Sequence, residues 1–196
     1  MNVALFVRKD SAYKKRDTWQ VYDFDRNAKT YNLNLPIVAH PPCRAWGQLS
    51  HMSNPREGEK ELTPWVVKKI QKLGGILEHP KGSRIFKTLP EANTNITDSY
   101  GGFVILIDQY DFGHVCHKDT KLYIVGIDKK DLPQLPKKDN TLHRCAKGKL
   151  RSICGDVKIN GERTTRATQY MREYTPEKLI DWFEKVLFKI RKNKNA

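Results

Sequence analysis

The sequence predicts an α/β protein whose mostly parallel sheet is covered by helices on both faces. Three observations carry that prediction. Short aliphatic runs such as Val3-Ala4-Leu5-Phe6 and Ile37-Val38-Ala39 have the form of strands buried within a parallel sheet. One amphipathic segment between two of these runs is long enough to be a crossover helix, which makes a strand, helix, strand unit. The last strong pair of runs is separated by about a dozen residues, too few for a helical crossover, and reads as an antiparallel pair at the sheet edge.

The elements follow in order. Met1–Val7 reads as the first strand, and Gln20–Asp23 as a short second one that ends in the acidic run Asp23-Phe24-Asp25. Ile37–His40 is the third, stopped by Pro41-Pro42. From Thr63 to Leu73 the pattern becomes helical: Thr63 can cap, Pro64 suits the first helical position, and Val66, Ile70 and Leu73 share one face. Gly74-Gly75 ends that helix and the chain enters the strand Ile76–Glu78. Phe103–Asp108 and Leu122–Ile127 form the expected edge pair, and Asp128–Gly161 is polar, rich in Pro and Lys, and expected to be irregular. The chain closes with a helix from Pro176 to about Ile190, capped by Thr175 and burying Leu179, Phe183, Val186 and Ile190.

At 196 residues the chain is sized for one domain. The expected layout is a Rossmann-like, three-layer core over 1–128, a basic insertion or binding loop over 129–172, and a terminal helix over 173–196 packed on the core. Lys and Arg number 36 against 22 Asp and Glu, for a net charge of +14. Residues 129–196 hold 18 basic and 8 acidic side chains, so +10 of that charge lies in the last third. Charge clustered in this way is the footprint of a polyanion, and a nucleic acid, DNA first, is the expected partner. No run approaches the length of a membrane span and Met1–Lys9 lacks a signal-peptide core, so a cytoplasmic location without membrane attachment is expected. Cys43, Cys116, Cys145 and Cys154 form no CxxC pair, which agrees with reduced thiols in that compartment.

Two strand ends carry chemistry. Leu35-Pro36-Ile37-Val38-Ala39-His40-Pro41-Pro42-Cys43-Arg44 delivers a cysteine on a stiff turn, and Gly74-Gly75-Ile76-Leu77-Glu78-His79-Pro80 delivers a carboxylate. In open α/β sheets that edge is where ligands bind. A cation such as Arg44 close to the Cys43 sulfur would lower its pKa and make it a nucleophile. A carboxyl at the end of an apolar strand is expected to keep its proton, as Glu78 would if burial alone decided. The structural alternatives are a small buried cysteine and a glutamate bonded to a neighbouring turn.

These residues resemble the Pro-Pro-Cys and Glu-Asn-Val motifs of DNA cytosine-5 methyltransferases. Val21-Tyr22-Asp23-Phe24-Asp25-Arg26-Asn27-Ala28 is similar to the family's acidic motif after the second strand. Asp111-Phe112-Gly113-His114 through Lys118, with Lys121-Leu122-Tyr123-Ile124-Val125-Gly126, is similar to the basic motif before the last strand pair. The whole chain resembles short phage and prophage proteins described as methyltransferase-like, through His40-Pro41-Pro42-Cys43-Arg44-Ala45-Trp46-Gly47, residues 74–80, and Gly113-His114 with Lys118-x-Thr120-x-Leu122-Tyr123.

The resemblance implies a methyltransferase-like fold and covalent chemistry on a pyrimidine. Cys43 would add to C6, Glu78 would assist at N3, and S-adenosylmethionine would supply a methyl group to C5. Phe6, Ser11, Asp23 and Asp25 would hold that cofactor, with Asp23 or Asp25 on its ribose. Arg44, Trp46, Gln48, Gln109, His114 and Lys118 would contact the nucleic acid, Trp46 as a stacking platform. A base inside a duplex must be flipped out or supplied on a single strand.

The sequence departs from the family in two places. No glycine precedes Gly47, so the Gly-rich turn after the first strand is missing, and no large target-recognition domain is present. The first departure keeps open a pyrimidine modification that runs without S-adenosylmethionine; both leave room for a non-catalytic nucleic-acid binder that blocks a host defence enzyme. A protein partner or a second copy could supply the missing recognition surface. A zinc site from His114, Cys116, His117, Cys145 and Cys154 is the remaining metal reading, on a spacing that matches no standard pattern.

Overall fold

The computed structural model describes residues 1–48, 50–138, 151–152, 158–159 and 161–194. Six strands form one mixed sheet: β1 Asn2–Leu5, β2 Trp19–Tyr22, β3 Ile37–Ala39, β4 Gly75–Pro80, β5 Phe103–Asp108 and β6 Asp119–Val125. Their spatial order is β2-β1-β3-β4-β6-β5. The first four run parallel, and β6 lies antiparallel between β4 and β5, so the expected edge pair is present.

Two helices cover the sheet. On one face α1, Glu59–Leu73, sets Val66, Val67, Ile70 and Leu73 against Val3, Leu5, Ile37, Ala39, Leu77 and Tyr123. On the other, Leu179, Phe183, Val186 and Ile190 of α3, Glu177–Lys194, pack on Ala4, Val38, Ile76, Leu122 and Ile124. Strand alternation explains the division, since neighbours along each strand point to opposite faces. Between the edge strands and α3 stand the short helix α2, Gln169–Glu173, and four two-residue strands at Arg151–Ser152, Lys158–Ile159, Glu162–Arg163 and Thr165–Arg166. No described helix is long and apolar enough to cross a membrane.

Helix α1 starts four residues before the expected Thr63 cap. Gly58, in the left-handed region at φ 69°, is its N-cap, and Glu59 and Glu61 place acidic charge in the first turn. Pro64 therefore sits inside the helix, where it cannot donate to the Lys60 carbonyl. The Trp46 indole N–H takes that place, donating to Lys60 O at 3.0 Å. At the far end the glycine pair acts as expected. Gly74 turns at φ 72° while its N–H bonds Ile70 O at 2.7 Å. Gly75 follows at φ 134°, and a Cβ there would lie 2.1 Å from the Ile37 carbonyl oxygen, so only glycine lets β4 pair with β3.

Candidate functional site

The ends of β1, β3 and β4 open into one cavity of about 380 Å³, roofed by α2 and the residues after it. Of the residues singled out in the sequence, Phe6, Ser11, Cys43, Arg44, Glu78 and Lys118 line it. Each arrives by a different local device. Phe6 takes a left-handed φ of 60° at the end of β1, and Ser11 caps the short turn Ala12–Lys15 by accepting from the Tyr13 N–H. That turn carries Tyr13 into the core, where it is fully buried. The His40 N–H bonds Leu5 O at 3.0 Å, and the Cys43 carbonyl accepts from Trp46 and Gly47 N–H at 3.0 and 2.8 Å, which closes the turn after Pro-Pro. His79 secures the same turn from below, with Nε2 donating to Pro41 O at 3.2 Å.

Glu78 lies at the centre of a buried polar chain. Its Oε2 is 2.9 Å from His40 Nδ1, and its Oε1 accepts from Gln109 Nε2 at 2.8 Å. Gln109 Nε2 also reaches Thr120 Oγ1 at 3.0 Å, and Tyr13 OH lies 3.0 Å from His40 Nε2. Burial pushes the Glu78 carboxyl up, but the charge of Lys118 and the hydrogen bond from His40 win, and its pKa is lowered to about 2. The expectation of a proton-bearing glutamate is therefore corrected: burial was the only influence legible in the sequence, and cations from other elements reverse it. An ionised Glu78 is acceptor-only. His40 therefore donates to it through Nδ1, while its Nε2 lies against the Tyr13 hydroxyl.

Cys43 reaches solvent at the cavity, yet its thiol is pushed up. The causes are burial of the sulfur first, then the Glu78 charge, opposed by its own backbone hydrogen bond and by Lys118. The Arg44 guanidinium is clamped on buried Glu59, with Nε donating to Oε1 at 2.9 Å and Nη2 to Oε2. His79, 1% exposed, is held neutral: burial lowers its pKa to about 4 against the pull of Glu78.

The other expected site residues lie outside the cavity lining. Asp23 is buried, and its carboxylate is taken by the Lys14 ammonium and by the N–H groups of Asp25 and Arg26 at 3.1 and 3.0 Å. Asp25 pairs with Lys9 at 2.9 Å. With Asp23 committed internally, and no glycine in Val7-Arg8-Lys9-Asp10-Ser11 after β1, these residues do not fit S-adenosylmethionine. The Trp46 indole N–H donates to Lys60 O, and Gln48, though exposed, lies over Gly82. Gln109 is fully buried as the partner of Glu78. His114 is buried beneath α2, with Nε2 2.8 Å from Met171 O and Nδ1 2.7 Å from Cys116 O. His117 bonds Asp108 instead, at 2.6 Å. Among the described residues no group of three potential ligands could hold a metal ion, and Cys145 and Cys154 lie outside the described residues.

Tyr13, His40 and His79 complete the site without having been singled out. His40 and His79 adjoin the two motifs, which was a usable signal; nothing in the sequence marks Tyr13. Arg8 joins the roof to β1, with Nη1 donating to Glu173 at 2.7 Å and Nε to Asp10 at 2.9 Å. Lys118 Nζ reaches the Tyr174 carbonyl at 3.4 Å. No protein-family model matches the chain, and no curated protein matches it either.

Proposed function

We propose that the cavity binds a pyrimidine base of a nucleic acid, cytosine first, and that Cys43 adds reversibly to its C6. The observation that carries the reading is the convergence of Cys43, ionised Glu78 and Lys118 on one cavity at the carboxyl ends of parallel strands. The antiparallel edge pair expected of a methyltransferase-like sheet agrees with it. Glu78, locked by His40 and Gln109, accepts the exocyclic N–H of cytosine. The Cys43 proton leaves to solvent and a sulfur–C6 bond forms as the C5=C6 bond breaks. The displaced electron pair moves through C4 to N3, where the Lys118 ammonium offsets the charge. C5 then takes a proton from water, water removes the hydrogen C5 originally carried, and the electron pair left behind re-forms the C5=C6 bond as the thiolate is expelled. The net reaction exchanges the C5 hydrogen with solvent and needs no co-substrate.

The test is mass spectrometry of cytosine nucleosides recovered from DNA incubated with the protein in heavy water. Deuterium at C5 is expected with the wild type and lost in Cys43→Ser. Wild-type protein that binds DNA but leaves C5 unlabelled would overturn the chemistry. The raised thiol favours a second reading, a non-catalytic base-binding protein, which predicts that unlabelled outcome.

A further inference from the structure

We infer that the rim of the cavity is a platform for single-stranded nucleic acid, on which bases flanking the target stack on Phe24 and Tyr170. The inference rests on the base-binding reading and adds the state of the strand. Phe24 is 79% exposed and Tyr170 is 51% exposed. One exposed aromatic ring is ordinary on a protein surface. Here each carries an arginine over its face: the Arg56 guanidinium lies 4.9 Å from the Phe24 ring centre, and that of Arg8 lies 4.9 Å from Tyr170. Both arginines line the cavity, so the two ring and cation pairs border the same opening. Tyr174, another lining residue, lies nearly parallel to Tyr170, at 21° with ring centres 6.3 Å apart, and extends that surface.

Rings that accept a base face and a cation that meets the adjoining phosphate are the two components of single-strand binding; Arg56 supplies the cation beside Phe24, while Arg8, paired with Asp10 and Glu173, holds Tyr170 in place. A duplex cannot use them, because its base faces are already stacked on each other. A cavity that must receive a whole base needs that base unpaired, and a strand that is already single avoids the cost of flipping. The net charge of +14 supplies the general attraction, and the rim decides which form is held.

The experiment is fluorescence anisotropy on Cys43→Ser protein, so that no covalent step contributes. The probes are a labelled pyrimidine-rich DNA strand, the same strand as RNA, and its DNA duplex. Either single strand should bind at least about 10-fold more tightly than the duplex, the tighter one naming the natural strand. Phe24→Ala and Tyr170→Ala should each weaken single-strand binding about 10-fold while Phe24→Trp preserves it, as expected for one stacked base each. Duplex binding equal to or tighter than single-strand binding, or single-strand affinity untouched by both alanine variants, overturns the inference. C5 exchange in the wild type without a single-strand preference removes the platform alone. Single-strand binding without exchange removes the chemistry alone.

Discussion

Replacing Glu78 with glutamine tests the electrostatic centre of the site through stability, independently of any substrate. The carboxyl titrates near 4.5 when free and about 2 in the fold. At 1.36 kcal/mol per unit, that difference contributes about 3 kcal/mol of stability to the ionised form. Between these two values the unfolded chain holds a proton that the folded chain does not. The contribution is therefore complete above pH 4.5 and disappears as the pH falls towards 2. Glutamine keeps the acceptor for Gln109 and, with a change of His40 tautomer, can donate to its Nδ1; it cannot titrate. Urea unfolding followed by tryptophan fluorescence at pH 7, 4 and 3 should show the wild type more stable at neutrality. Its advantage over Glu78→Gln should shrink by about 2 kcal/mol by pH 3. A gap that stays constant or widens on acidification refutes the reasoning, because Glu78 would then be protonated in the fold or paired no better than in the unfolded chain.

Two further predictions address neighbouring groups. Iodoacetamide alkylation of Cys43, followed by mass spectrometry against pH, should show a lower midpoint in Glu78→Gln and a higher one in Lys118→Ala, following the signs of the two charges on the thiol; identical midpoints in all three proteins would mean that neither charge reaches the sulfur. Trp46→Phe should cost about 1 kcal/mol, because Pro64 cannot replace the lost donor to the Lys60 carbonyl. Pro64→Ala should recover part of that loss only when Trp46 is absent, and an equal gain in both backgrounds in thermal unfolding would contradict the exchange of donors.

Much of the framework was legible because it rests on local rules. The aliphatic runs of β1, β3 and β4 are buried in the parallel part of the sheet, β5 has the expected bounds, and all four residues expected to face the core from the last helix are fully buried. The start of α1 was misread because a proline near a threonine imitates a helix beginning. Its true start depends on Trp46, 18 residues before Pro64 in the chain, supplying the donor that proline lacks. The strand ends carrying Cys43 and Glu78 could likewise be found from sequence, since apolar runs that stop at Pro-containing turns mark them. Of the residues assigned to ligand contacts, Asp23, Trp46, Gln109 and His114 each have a partner within the fold, and these partners come from elements that residue order does not bring together.

The sequence by itself determined an α/β chain with a mixed sheet, a strongly basic last third, and a cysteine and a carboxylate at neighbouring strand ends. Only the tertiary structure decided their chemical state. Burial can be read from an apolar run, and it predicts a glutamate that keeps its proton. The groups that reverse this are Lys118 beside β6, through its charge, and His40 on a neighbouring strand end, through its hydrogen bond, with Gln109 as a further donor. Tyr13, 65 residues before Glu78, completes the chain through His40. Electrostatic energy depends on distance in space and on the surrounding dielectric. Neither is carried by residue order, so the fold itself turned a predicted acid into an ionised acceptor and left Cys43 as a thiol.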